Sequence, residues 1–143
     1  MITMKSEIDP ILLVEDRAID LDLTKRALAR SKVVNPIQVA RDGEEALAFL
    51  PRWEAGEPAP VFILLDLKLP KVDGMEFLRQ IKSHPKFHAI PVIILTTSAE
   101  DRDIREAYEL GCNSYIVKPV DFNKFVEVAS RIEIYWRALN TAP

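Results

Sequence analysis

Apolar positions along this chain come in short blocks, and between the blocks they recur with helical spacing. Ile11 to Val14 is a four-residue apolar run that ends on Glu15-Asp16. After it, Leu21, Thr24, Ala27 and Leu28 line one face of a predicted helix over residues 17–31. "NPIQVAR" (35–41) reads as a short strand opened by Pro36, and Asp42-Gly43 turns into a helix carrying Ala46, Phe49, Leu50 and Trp53. The Pro- and Gly-rich stretch "PRWEAGEPAP" (51–60) ends that helix and loops out. Residues 61–65 form a buried strand, and Gly74, Phe77, Leu78 and Ile81 follow at i, i+3, i+4, i+7 on a third helix. Residues 91–96 are a further buried strand. Ser98 is a candidate cap for the next helix, with Asp101 as its partner and Ile104, Ala107 and Tyr108 facing inward, up to Gly111. "SYIVKP" (114–119) is a last short strand, and a helix from about Asp121 turns Phe122, Phe125, Val126, Ala129 and Ile132 to one side.

Five strands thus alternate with five helices. Strands that are apolar throughout, rather than at every second residue, are buried on both faces. The pattern predicts an α/β fold, a single (βα)5 doubly wound unit with a parallel sheet between two helical layers. At 143 residues one core of ordinary size accounts for the chain. With 48% hydrophobic and 29% charged residues the composition is that of a soluble globular domain, not a disordered one. No apolar run approaches the ~20 residues that cross a bilayer, and "MITMKSEIDP" has no apolar segment of a secretion signal. Cys112 is the only cysteine, so no disulfide forms within the chain and a reducing, cytoplasmic setting is expected. A net charge of −3 without a dense Lys/Arg block argues against direct nucleic-acid binding.

The polar residues that end the apolar runs carry the chemistry. In open α/β sheets the functional crevice lies at the carboxyl ends of the strands. Glu15-Asp16 ends the first strand, Asp66 the third and Thr96-Thr97 the fourth, and Lys118-Pro119 follows the fifth. An ionised carboxylate beside apolar strands is costly unless it is paired. Three of them converging on one crevice make sense with a lysine and a divalent cation to neutralise them, and hard oxygen ligands favour Mg2+.

The pieces "LLVED", "LLDLKLPKVDG", "ILTTSA" and "YIVKP", in this order across residues from about 10 to 130, closely resemble the receiver domain of two-component response regulators. The resemblance implies a five-stranded flavodoxin-like sheet of order 2-1-3-4-5 and a phosphorylation-dependent regulator. A sensor histidine kinase would deliver a phosphoryl group to Asp66, with Lys118 and Thr96 as its contacts. Mg2+ would be held by Asp16, Asp66 and the main-chain carbonyl of Lys68, with Glu15 acting through water. Thr96 and Tyr115 would form the switch that alters a protein-docking face, and the Lys118-Pro119 bond would be cis. The domain is expected over residues 8–132, with 133–143 extending the last helix and no effector domain. The chain is then a phosphoacceptor rather than an enzyme, beyond self-phosphorylation from small donors and slow autodephosphorylation.

Two features depart from the common pattern. Lys68 stands two residues after Asp66, where many relatives have a small or polar residue, and it could alter the lifetime of the phosphate. The long loop "PRWEAGEPAP", with "LTTS" and the tail "IEIYWRALN", resembles the stand-alone regulators paired with bacterial phytochromes. That makes a bacteriophytochrome the expected kinase, and a docking protein or phosphotransfer protein the expected downstream partner. Ile134, Tyr135, Trp136 and Leu139 continue the apolar pattern of the last helix, and a homodimer through it is expected.

Each residue also has a plainer reading. Asp66 alone could be a helix cap or a turn residue, and Tyr115 could be an ordinary strand aromatic. His84 and His88 read as solvated loop residues, Cys112 as a small apolar filler, and Lys71 and Lys82 as surface charges. A Mg2+-dependent phosphatase with an aspartyl nucleophile is the alternative enzyme, but it needs an acid where this chain has Lys68. A flavodoxin-like flavin binder needs a phosphate-cradling loop where this chain has the acidic "EDRAID".

Overall fold

A computed structural model describes residues 9–119 and 121–140, without the side chains of 135–140. Five strands are present: β1 (Ile11–Val14), β2 (Ile37–Ala40), β3 (Phe62–Leu65), β4 (Val92–Thr96) and β5 (Ser114–Val117). The helices are α1 (Ala18–Arg30), α2 (Gly43–Leu47), α3 (Phe49–Glu54), α4 (Gly74–Lys82), α5 (Asp101–Leu110) and α6 (Phe122–Asn140). All strand pairs are parallel, in the order β2-β1-β3-β4-β5. The chain order reverses direction at β1/β3, the place where doubly wound sheets open a crevice.

The apolar runs serve two cores because successive strand residues point to opposite faces. Leu12, Val14, Ile63, Leu65, Val92 and Ile94 face one layer, where Phe49, Trp53, Phe77, Leu78, Ile81 and Ala107 cover them. Ile11, Leu13, Phe62, Leu64, Ile93 and Leu95 face the other, under Leu21, Ala27 and Leu28 of α1 and Phe125, Ala129 and Ile132 of α6. Both faces are covered by apolar side chains, which is why the strands carry no polar alternation.

Several expectations change in detail. The predicted second helix is two pieces, α2 and α3, meeting at Ala48. Pro51 has no N–H to give the carbonyl four residues earlier, and this breaks the ladder there. Ser98 is not the N-cap of α5; Glu100 holds that position, and the Ser98 hydroxyl donates to Asp103 Oδ2 at 2.5 Å. On α5 only Ala107 is fully buried, whereas Tyr108 is half exposed, so the inward face is narrower than its spacing implied. His84 is not simply solvated. Its Nδ1 accepts from the amides of Lys86 (3.0 Å) and Phe87 (3.2 Å), and Nε2 lies 2.8 Å from Glu54 Oε1. Lys82 is not a surface charge either. Its Nζ donates to the carbonyls of His88 (3.1 Å) and Ile90 (2.9 Å) and to Asn113 Oδ1 (3.1 Å), tying α4 to the segments before β4 and β5. Cys112 is buried, and burial pushes its thiol up to about 11, which suits an inert filler.

Candidate functional site

The main-chain ladder runs one residue past β1, β3 and β5 and so fixes where the crevice residues emerge. Glu15 N–H donates to the Ala40 carbonyl (2.9 Å), Asp66 N–H to Val14 (3.0 Å) and Lys118 N–H to Thr96 (2.7 Å). Backbone that is still extended at these positions presents their side chains at the carboxyl edge of the sheet. The turn after β3 is drawn tight: the Gly74 N–H donates to the Leu67 carbonyl at 3.0 Å, and a Cβ on Gly74 would lie 2.2 Å from the Asp66 carbonyl oxygen. Asp73 then starts α4, its Oδ1 accepting from Met75 N (2.8 Å) and Glu76 N (3.2 Å).

Asp66 is 5% exposed and lies at the centre. Its Oδ1 accepts from the Thr96 hydroxyl at 2.8 Å and from the Lys68 amide at 3.2 Å; its Oδ2 accepts from Lys118 Nζ at 2.8 Å. Lys118 Nζ also donates to Glu15 Oε1 and, at 3.0 Å, to Asp20 Oδ2. Glu15 in addition accepts from the Arg17 amide at 3.2 Å. Burial disfavours the Lys118 charge, but its hydrogen bonds to Asp66 and Glu15 outweigh that and hold its pKa above the ordinary lysine value. Burial pushes Glu15 up to about 7, and the nearby Asp66 charge adds to the rise, against the pull of Lys118. Glu15, Asp20 and Asp66 bond the one lysine, and Asp16 stands close to Glu15 and Asp66, so the crevice holds more acidic groups than that lysine offsets.

Glu15, Asp16 and Asp66 each offer an oxygen, all within 4.8 Å of one another. Hard oxygen donors, an excess of negative charge and a half-buried Asp16 at the open side suit a divalent cation. Beside this cluster runs a groove of about 580 Å³ lined by Asp16, Lys68, Pro70, Asp73, Arg102 and Asp103, among others, which gives access to the crevice.

The remaining expected residues fall into place with two differences. Every peptide bond among the described residues is trans, Lys118–Pro119 included. Lys118 reaches the crevice because its backbone continues the β5 ladder and not through a cis turn. The Lys68 side chain is largely exposed and its Nζ lies 4.0 Å from Asp103 Oδ2, away from the Asp66 carboxylate. Tyr115 is half-buried, and its hydroxyl donates to the Ser98 carbonyl at 2.8 Å, fastening β5 to the loop that follows Thr96. Asp20 was not among the expected residues. It stands four residues after Asp16 in the first turn of α1, where acids are common for reasons of the helix dipole. Its sequence context carries no signal that it faces a lysine 98 residues away.

Acids, a hydroxyl and a lysine gathered at the strand ends of a doubly wound sheet define the class of phosphoryl-accepting signalling domains. The chain belongs to the response regulator receiver domain family, which matches residues 11–130. It is 39% identical to "Response regulator Rcp1" of Synechocystis sp. over 98% of this chain and 99% of that one. A Mn2+-bound form of Rcp1 superimposes with a TM-score of 0.81, covering 90% of this chain and 94% of that one. The phosphorylated cyanobacterial phytochrome response regulator RcpA does so with a TM-score of 0.84 at 41% identity, covering 95% and 97%. A probable methanogenesis regulatory protein, FilR2, of Methanothrix harundinacea is 44% identical over 93% of this chain and 86% of that one. The protein is therefore a phosphorylation-dependent response regulator with relatives among the phytochrome regulators, and the phosphatase alternative has no support.

Proposed function

We propose that Asp66 accepts the phosphoryl group from a sensor histidine kinase. The observation that carries this reading is the environment of its carboxylate, held at once by Thr96, Lys118 and the Lys68 amide at the centre of an acidic crevice. A carboxylate oxygen of Asp66 attacks phosphorus, the P–N bond to the kinase histidine breaks, and the electron pair leaves with the imidazole; the product is an acyl phosphate. Lys118 offsets charge on the transferring group, and Thr96 turns its hydroxyl to a phosphoryl oxygen. Asp16, Asp66 and the Lys68 main-chain carbonyl would hold Mg2+ directly and Glu15 through water. The bound cation would neutralise charge on the phosphoryl oxygens.

Thr96 and Tyr115 then act as the switch. Thr96 leaves its bond to Asp66 for the phosphate, the loop carrying Ser98 moves with it, and the Tyr115 bond to Ser98 couples that shift to β5. Its output is read by a downstream protein or phosphotransfer partner, in the cytoplasm. The phytochrome relatives favour a bacteriophytochrome as the kinase. A homodimer through the distal part of α6 belongs to the same reading. Ile134 is 65% exposed there; the side chains of Tyr135, Trp136 and Leu139 lie outside the described residues. The chain acts as a phosphoacceptor, with at most self-phosphorylation from small donors and slow autodephosphorylation of its own.

The test is uptake from acetyl phosphate. The wild type gains the mass of one phosphoryl group in Mg2+ and none in EDTA, and Asp66→Asn gains none in either. An equal gain by the variant would place the acceptor elsewhere.

A further inference from the structure

Among the described residues, Asp20 is the carboxylate that bonds Lys118 without a task in the scheme above. An acid in the first turn of a helix needs no special reason when it faces water. Asp20 is turned mostly inward: its side chain is 16% exposed, and Oδ2 lies 3.0 Å from Lys118 Nζ. The Arg17 Nε, on a largely exposed side chain, lies 3.7 Å from the same oxygen. A lysine ammonium has three donors and no acceptor. Lys118 gives them to Glu15, Asp20 and Asp66, and at 4% exposure water cannot replace a lost partner. Glu15 and Asp66 also belong to the carboxylate cluster that converges within 4.8 Å, and Asp20 does not. When Glu15 and Asp66 turn to a cation and a phosphoryl group, Asp20 is the partner whose bond to the lysine need not change.

We propose that Asp20 is a positioning residue for phosphoryl transfer: it anchors the Lys118 ammonium and aims it at Asp66 through the metal-bound and phosphorylated states. The proposal rests on Asp66 being the phosphoacceptor. Without Asp20, Lys118 keeps only partners that the reaction draws elsewhere. Its ammonium then wanders from the place where charge develops, and small misplacements of such a group are costly in rate.

The experiment compares the full-length wild type, Asp20→Asn and Asp20→Ala with acetyl phosphate as donor at saturating Mg2+. Asp20→Ala lowers the maximal phosphorylation rate about tenfold, in line with the cost of a misplaced group. Asp20→Asn, whose amide oxygen still accepts from Lys118, recovers most of it. The Mg2+ dissociation constant stays within about twofold in both, because Asp20 stands outside the carboxylate cluster. In a Lys118→Ala background the Asp20→Ala change has no further effect, as two residues acting through one contact require. On lysine-15N-labelled protein the Lys118 ammonium gives a slowly exchanging NMR signal in the wild type and in Asp20→Asn, and loses it in Asp20→Ala. The proposal falls if Asp20→Ala keeps the full rate and the ammonium signal, or if it slows the Lys118→Ala protein as much as the wild type. A wild type that takes up no phosphoryl group refutes the Asp66 reading, and this proposal with it. An ammonium signal lost in Asp20→Ala would then still show that Asp20 holds Lys118.

Discussion

Glu15 shows how a single side chain in the crevice ties charge to burial. It is 2% exposed, and its pKa rises from the ordinary 4.5 to about 7 chiefly because burial disfavours its ionised form. Since the folded value lies above the unfolded one, the folded protein holds this proton more tightly. That contribution to stability is complete below pH 4.5 and is lost as the pH rises through about 7. Metal-free protein with Glu15→Gln lacks it. The expected outcome in EDTA is that the stability of the wild type, measured against Glu15→Gln by urea denaturation, declines between about pH 4.5 and 8. Added Mg2+ should offset the decline, because it competes with the proton for the same carboxylate. Stability curves that run parallel over this range would show that Glu15 ionises freely in the folded state.

Between elements, the tightest fit in the crevice is the turn from β3 into α4. Gly74 passes so close to the Asp66 carbonyl that a methyl group would lie 2.2 Å from that oxygen, and backbone cannot yield as a flexible side chain would. Gly74→Ala should cost roughly 1–3 kcal/mol in denaturant unfolding, as overpacking does. It should also slow phosphoryl uptake, since the strain falls on the backbone that carries Asp66. A variant of unchanged stability would mean that the turn can widen freely. Much of this arrangement is legible in the sequence. Strands apolar at every position require two covering layers, and a polar residue closing each such run must emerge at one sheet edge. That logic alone places Glu15, Asp16, Asp66, Thr96 and Lys118 together. Contacts that depend on the rotation of a helix against the sheet are not legible in this way. Asp20, Tyr108 and Lys82 have helix-surface identities, and only packing decides that Asp20 turns in to Lys118 and Tyr108 turns out. The bond from Ser98 to Asp103 is hidden for a related reason: the sequence favours Ser98 as the cap of α5, whereas the helix starts two positions later and leaves that hydroxyl free to reach Asp103.

For the molecule as a whole, the Thr96–Asp66 and Tyr115–Ser98 bonds form a short route from the buried acid to the outer strand. In the proposed switch, a change at Asp66 passes through these two bonds to the surface made by α5, β5 and α6. The proposed dimer would use the long α6 of that same surface. Its apolar pattern continues beyond Ile132, which packs on the sheet, to Ile134, which does not. Light scattering at tens of micromolar should give the mass of two chains for the wild type and of one chain for Tyr135→Ala/Trp136→Ala. A monomeric wild type, with and without a phosphoryl mimic, would exclude the dimer.

The most direct test of the whole account is the position of the phosphoryl group. After brief exposure to acetyl phosphate and Mg2+, reduction with borohydride converts an aspartyl phosphate to homoserine, and tandem mass spectrometry locates it. Homoserine is expected at position 66 and at no other aspartate. Homoserine at Asp16 or Asp20 with Asp66 intact, or none anywhere after demonstrable uptake, would contradict it.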